Sequence, residues 1–168
     1  RHAPDALLGH EQAERLAAWR AQHDGFRVAV ATTREIYDEF SFGVFDPAAI
    51  RDFLRYAWET WRDAGVSEPG VRYVVFLGDG QFDYRNLTRF TQVTTNPQPG
   101  NWVPPYEEGD LTTDDWFAIF DNTGIPTVQV GRLCVQTLDE ARQVVDKIIT
   151  YEDSPERGAW QNRVVMVT

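Results

Sequence analysis

The 168-residue sequence predicts a layered α/β fold: a mostly parallel sheet flanked by helices. Three observations carry this. Apolar runs rich in β-branched residues at 26–32, 71–77, 127–133 and 163–168 read as strands. Segments 47–64 and 137–151, which fall between them, repeat apolar residues at the three-and-four spacing of a helix face. Strand, helix, strand, repeated, is the order of right-handed parallel crossovers.

The first element is a helix over 11–23, rich in strong helix formers, with Ala13, Leu16 and Ala17 on one face and Gly25 as a stop. Phe26–Thr32 follows as a strand. Asp46 then offers an N-cap beside Pro47 at the first helical position. Behind it Ile50, Phe53, Leu54, Ala57, Trp58 and Trp61 fall on one stripe, which is better explained by core packing than by a cofactor site. Val74-Val75-Phe76-Leu77 is continuously apolar, the mark of a central strand covered on both faces, and Gly78-Asp79-Gly80 ends it.

Residues 78–125 form a loop region too long to be structureless. Within it, 115–120 reads as a short strand leading through a turn at 122–124 into the strand at 127, a local hairpin. The proline-rich stretch 96–106 reads as an extended surface loop. Thr137 and Glu140 form a T-x-x-E capping box for a helix that turns Leu138, Ala141, Val144, Val145, Ile148 and Ile149 inward. Two features do not fit a finished domain: the first helix has no strand before it, and the buried-looking strand at 163–168 has nothing after it. Residues 1–168 therefore read as a single α/β subdomain, an excised or truncated first half of something larger. The opening Arg1-His2-Ala3-Pro4, without Met, reads as a processed piece.

Lys and Arg number 16 against 26 Asp and Glu, a formal charge of −10. Counterion release on nucleic acid needs clustered cations, so a nucleic-acid partner is not expected. No apolar run approaches the roughly 20 residues that span a bilayer, and no signal peptide is visible. Cys134 is the only cysteine, which excludes an intrachain disulfide.

Cys134 is the obvious nucleophile to test, since thiolate chemistry needs a neighbouring histidine. His2, His10 and His23 all lie near the N-terminus, and an inert thiol buried as a small hydrophobe is the better reading. Gly78-Asp79-Gly80-Gln81-Phe82-Asp83 sits where open α/β sheets place ligands, at the C-terminal end of a central strand. It lacks the third glycine of a dinucleotide fingerprint and the Lys-Ser/Thr of a phosphate loop. Asp79 and Asp83, with Asp110, Asp114 or Asp115, supply hard oxygens suited to Ca²⁺, against the plainer reading of turn-forming aspartates. Asp114 and Asp115 point apart if extended and read as a loop anchor. Asn86-Leu87-Thr88 is a glycosylation sequon of low specificity.

The blocks Glu14–Arg20, Val28–Phe40, Asp46–Leu54, Tyr73–Gly80, Thr113–Phe117, Val130–Leu133, Val144–Glu152 and Trp160–Val164 resemble, in order, the successive blocks of the gingipain-like cysteine peptidase domain. The resemblance implies the first subdomain of a caspase-like fold, with a second subdomain of the same catalytic domain as partner. It implies a secreted or surface-bound bacterial cysteine endopeptidase, or a secretion-system sortase, acting on protein or peptide substrate, and in several members Ca²⁺ is bound. The family's catalytic His-Gly motif and its catalytic Cys belong to the second subdomain. No histidine here precedes a glycine and Cys134 lies in the Gly-Arg-Leu block, so no catalytic residue carries over. The expected metal residues are Asp79 and Asp83. The chain alone is expected to be inactive, and the alternative is a non-catalytic α/β binding or scaffold module.

Overall fold

The structure, a computed structural model, describes residues 4–62, 70–81, 83, 101–109, 111–121, 123–155 and 157–166. Helix α1 (Pro4–Asp24) is followed by an extended segment, then α2 (Thr33–Phe40) and α3 (Pro47–Thr60). Strand β1 (Tyr73–Leu77) comes next, then a hairpin of β2 (Tyr106–Glu108) and β3 (Leu111–Thr113), a 3-10 turn at Asp115–Ala118, strand β4 (Gln129–Leu133) and helix α4 (Leu138–Asp153). Strands β1 and β4 pair in parallel, Tyr73 opposite Gln129 through Leu77 opposite Leu133. The α/β class with a parallel sheet and flanking helices is as the sequence predicts.

Helix α3 starts where Asp46 caps it, the carboxylate accepting the Ala48 N–H at 2.9 Å, with Pro47 contributing the helical φ. Its stripe turns Ile50, Leu54 and Ala57 inward. Ile36 and Tyr37 of α2, Phe76 of β1, Phe117 and Val128 complete the main core. Phe117 is 0% exposed and meets the edge of Phe76 with ring centroids 5.3 Å apart. A second, smaller packing joins α1 to α4. There Val145 and Ala141 are buried, and Glu152 accepts from Trp19 Nε1 at 2.6 Å and Arg20 at 2.7 Å.

Several elements differ from the sequence reading. Segments 26–32 and 163–166 are not strands among the described residues: a β-branched run becomes a strand only when it joins a ladder with a neighbouring strand, and no ladder among the described residues includes either segment. Helix α2, absent from the prediction, is fixed by a capping box in which Thr32 and Glu35 each bind the other's backbone N–H, at 3.2 and 2.8 Å. Residues 115–118 form a 3-10 turn because the Thr113 hydroxyl accepts the Asp115 N–H at 3.0 Å and closes the chain before it can extend. The hairpin is therefore β2–β3, while β4 pairs with β1. At α4 only half the expected box forms: Thr137 caps Glu140, but the Glu140 carboxylate reaches back to the Gln136 N–H at 2.7 Å. The sequon at 86–88 and the loop at 96–100 lie outside the described residues. Among the described residues no helix is long and apolar enough to cross a membrane.

Candidate functional site

Of the residues the sequence singled out, the C-terminal edge of β1 and β4 brings together Asp79 and Asp114, through Arg132, while Asp110 lies outside the described residues. Main-chain bonds carry the strand pair past its last residues, from Gly78 N–H to Leu133 C=O at 3.0 Å and from Asp79 N–H to Val135 C=O at 2.9 Å. The Asp79 carbonyl then accepts from the N–H groups of Trp102 and Val103, which folds segment 101–105 over the strand end. Two glycines permit this close approach. Gly78 has φ +148°, and a Cβ there would meet Trp102 Cβ at 2.7 Å; at Gly80 a Cβ would strike the Val103 carbonyl and Pro105.

Arg132 organises the edge. Its side chain is 11% exposed and donates to both carboxylate oxygens of Asp114, at 2.7 and 2.6 Å. The remaining terminal nitrogen donates to the carbonyls of Gly78 at 2.8 Å and Val103 at 2.7 Å, and the guanidinium lies over the Phe76 ring, 5.2 Å from its centroid. One planar cation thus ties β4 to the end of β1, to the 101–105 segment and to the start of the 3-10 turn, a geometry only the fork of arginine supplies. Asp114 is the loop anchor expected of it. Arg132 was not foreseen: its partners lie 18 to 54 residues away, and only the Gly-Arg-Leu block marked it.

Asp79 faces outward from this hub. Its carboxylate accepts the Gly80 N–H at 2.9 Å and the Gln136 amide at 2.8 Å, and the Gln136 carbonyl accepts from Trp102 Nε1 at 3.0 Å. Asp83 is buried at 7% exposure and has a partner of its own. Among the described residues no group of three or more His, Cys, Asp or Glu is arranged to hold a metal ion. An ion on Asp79 would have to displace the Gln136 amide, and the positive charge beside the neighbouring carbonyls comes from Arg132.

Cys134 departs from the expected buried thiol: it is exposed, because β4 ends one residue before it and Val135 turns inward in its place. His10 and His23 sit on α1 beside Glu14 at 3.6 Å and Asp24 at 2.7 Å. Among the described hydrogen bonds none joins Cys134 to a histidine. Asp121, at the loop before β4, is held below the usual carboxylate range by the hydroxyl and N–H of Thr123.

Comparison with known proteins agrees with the fold. Residues 3–168 match the family model of peptidase family C25. No curated protein matches the chain. Among solved structures, the crystal structure of dimeric latent PorU from Porphyromonas gingivalis is similar with a TM-score of 0.72 and 29% identity over 96% of this chain. The match spans 16% of the PorU chain. With a family match running from residue 3 to residue 168 and a solved relative of the same fold, this chain belongs to peptidase family C25, the gingipain family.

Proposed function

We propose that the chain is the N-terminal subdomain of a gingipain-like, secreted or surface-bound bacterial cysteine endopeptidase whose Cys–His dyad lies downstream of Thr168 in a second subdomain. The observation that carries this reading is the family match over residues 3–168 in a chain whose only thiol, Cys134, has no histidine beside it among the described residues. In such an enzyme the thiolate attacks the peptide carbonyl, and the imidazole takes the thiol proton and returns it to the leaving amine. The part given to this chain is positional. Arg132 and the two glycines hold the C-terminal edge of the sheet in one shape, the edge where α/β folds meet their ligands. The test is to label the parent protein with a thiol-directed peptide inhibitor and map the modified residue. Loss of activity with the label on a cysteine outside residues 1–168 is expected. Stoichiometric labelling of Cys134, or a parent with no other cysteine, would overturn the reading and leave a non-catalytic α/β module.

Weak Ca²⁺ binding at Asp79 or Asp83 is a separate proposal. Its support is the acidic excess and the hard oxygen donors. The Gln136–Asp79 hydrogen bond opposes it, so its effect on stability is expected to be small.

A further inference from the structure

The turn between α2 and α3 treats its aromatic residues in two opposite ways. Phe40 meets the edge of Phe53 with ring centroids 5.7 Å apart, and Phe45 meets Tyr37 at 5.1 Å, so both pack against the core. Phe42, between them, is 97% exposed. A lone apolar side chain on a surface is ordinary. The backbone adds a second observation: Phe42 has φ +54°, and among the described residues no other non-glycine residue lies in the left-handed region. Just past a helix end that conformation falls to glycine or asparagine, because a larger side chain crowds the backbone.

The strained conformation is held in place by its surroundings. The N–H groups of Ser41 and Gly43 both donate to the Tyr37 carbonyl, at 3.0 and 2.8 Å, and the Val44 N–H donates to the Ser41 carbonyl at 2.9 Å. The Ser41 hydroxyl reaches the Val44 carbonyl at 2.5 Å. These bonds close around Phe42 and leave its ring in water, where it adds nothing to the packing of the fold. A bulky residue kept in a costly conformation points to a use outside the fold itself.

Charge indicates what meets the ring. The last turn of α2 holds Asp38 and Glu39, both exposed, and no basic residue. The negative end of the helix dipole adds to them. Asp38 leans toward the turn, its Oδ1 3.4 Å from where a Cβ on Gly43 would sit. The one basic residue of α2, Arg34, stands a turn back with its Nε 3.7 Å from Asp38, an exposed pair that neutralises little. In a chain of net charge −10, this acidic setting repels a second copy or an anionic lipid surface and attracts a cationic one.

We propose that Phe42 anchors a docking site for a protein partner whose surface offers an apolar pocket for one benzyl ring, rimmed by Lys or Arg that meet Asp38 and Glu39. Val44, 57% exposed, widens the apolar contact. An aromatic anchor desolvated in a partner's pocket supplies a large share of binding energy, and the charged rim steers association. The site does not rest on the peptidase reading, since its tests read binding and stability.

The experiment uses the parent protein in the cells that make it, with photoreactive benzoylphenylalanine in place of Phe42. Irradiation is expected to attach one protein, which is then purified and titrated against the parent. Phe42→Ser is expected to weaken that binding by at least about tenfold. Asp38→Asn with Glu39→Gln is expected to weaken it by about three- to tenfold, more at low salt than at high. Phe42→Gly is expected to leave the melting temperature of the purified parent unchanged or to raise it by up to about 4 °C, because glycine takes the left-handed conformation freely. Attachment to lipid alone, to a second copy alone, to another part of the same polypeptide or to nothing would overturn the proposal. So would a captured protein that Phe42→Ser weakens by less than about tenfold, or one indifferent to the loss of both acids. A fall in melting temperature with Phe42→Gly would overturn it too, because the ring would then serve the fold.

Discussion

The C-terminal end of the β1–β4 pair and the outer edge of β1 are finished in different ways. At the C-terminal edge, a single side chain with partners on three separate segments finishes the structure: Arg132 satisfies Asp114, Gly78 and Val103 at once. Along the outer edge of β1, apolar side chains of the same strand stand about half exposed beside an extended segment that does not pair with it. The difference teaches where this chain is self-sufficient. Its polar work is done within the described residues, whereas the apolar work of covering the sheet is done on one side only, by α2, α3 and the 3-10 turn.

The largest expected effect breaks the covered side. Phe117→Ala removes a fully buried ring that touches Phe76 and should destabilise by about 3–5 kcal/mol, read from the denaturation midpoint of the parent domain. A loss under about 1 kcal/mol would mean that this face is no better closed than the outer edge of β1.

The second effect breaks the polar hub. Arg132→Met leaves the Asp114 carboxylate and two carbonyls without their donor and should cost about 2–4 kcal/mol, below the fully buried case because Asp114 is 26% exposed. Adding Asp114→Leu should restore part of the loss, since the remaining unpaired charge is then gone. Equal stability of the single and double variants would show that the two residues do not act as a pair.

The parts of this picture that the sequence made legible are those set by local pattern. Helices α3 and α4 followed from apolar spacing and caps, and β1 and β4 from apolar runs, each within about two residues at the strand starts. What was missed depended on distant partners or on competition. The run Phe26–Thr32 has strand composition, but pairing is decided by a neighbour that composition does not reveal. Helix α2 was announced by Thr32-x-x-Glu35, a signal overshadowed by the β-branched run just before it. The aromatic stretch at 115–120 looked extended until the Thr113 hydroxyl turned it. At the site, the strand end at Gly78-Asp79-Gly80 and the anchoring role of Asp114 were readable, while Arg132 and the Gln136–Asp79 bond, 57 residues apart, were not.

A smaller effect sharpens the contrast between the sheet and the α1–α4 packing. Partial burial works to raise the Glu152 carboxyl, but hydrogen bonds from Arg20 and Trp19 outweigh it and hold the group below its ordinary value. A depressed carboxyl stabilises the fold above its unfolded value and loses that contribution as pH falls through its folded value. Unfolding of the α1–α4 pair should therefore begin in mild acid, and Glu152→Gln should remove this pH dependence at a cost of about 1 kcal/mol near neutrality. An unchanged acid profile in the variant would assign the dependence to other carboxylates. Calcium gives the smallest effect: millimolar Ca²⁺ against chelator should raise the melting temperature by no more than about 2–4 °C, the equivalent of about 1 kcal/mol. Identical curves would leave Asp79 and Asp83 as turn residues.

The central claim is that this chain frames a cysteine peptidase without supplying its nucleophile. It is tested most directly by steady-state hydrolysis of a peptide substrate by the parent protein and by its Cys134→Ala variant. The account predicts kcat/KM within about twofold, a difference under about 0.4 kcal/mol in transition-state stabilisation. A loss of about a thousandfold or more, with the melting temperature unchanged, would place the nucleophile at Cys134 and contradict the account.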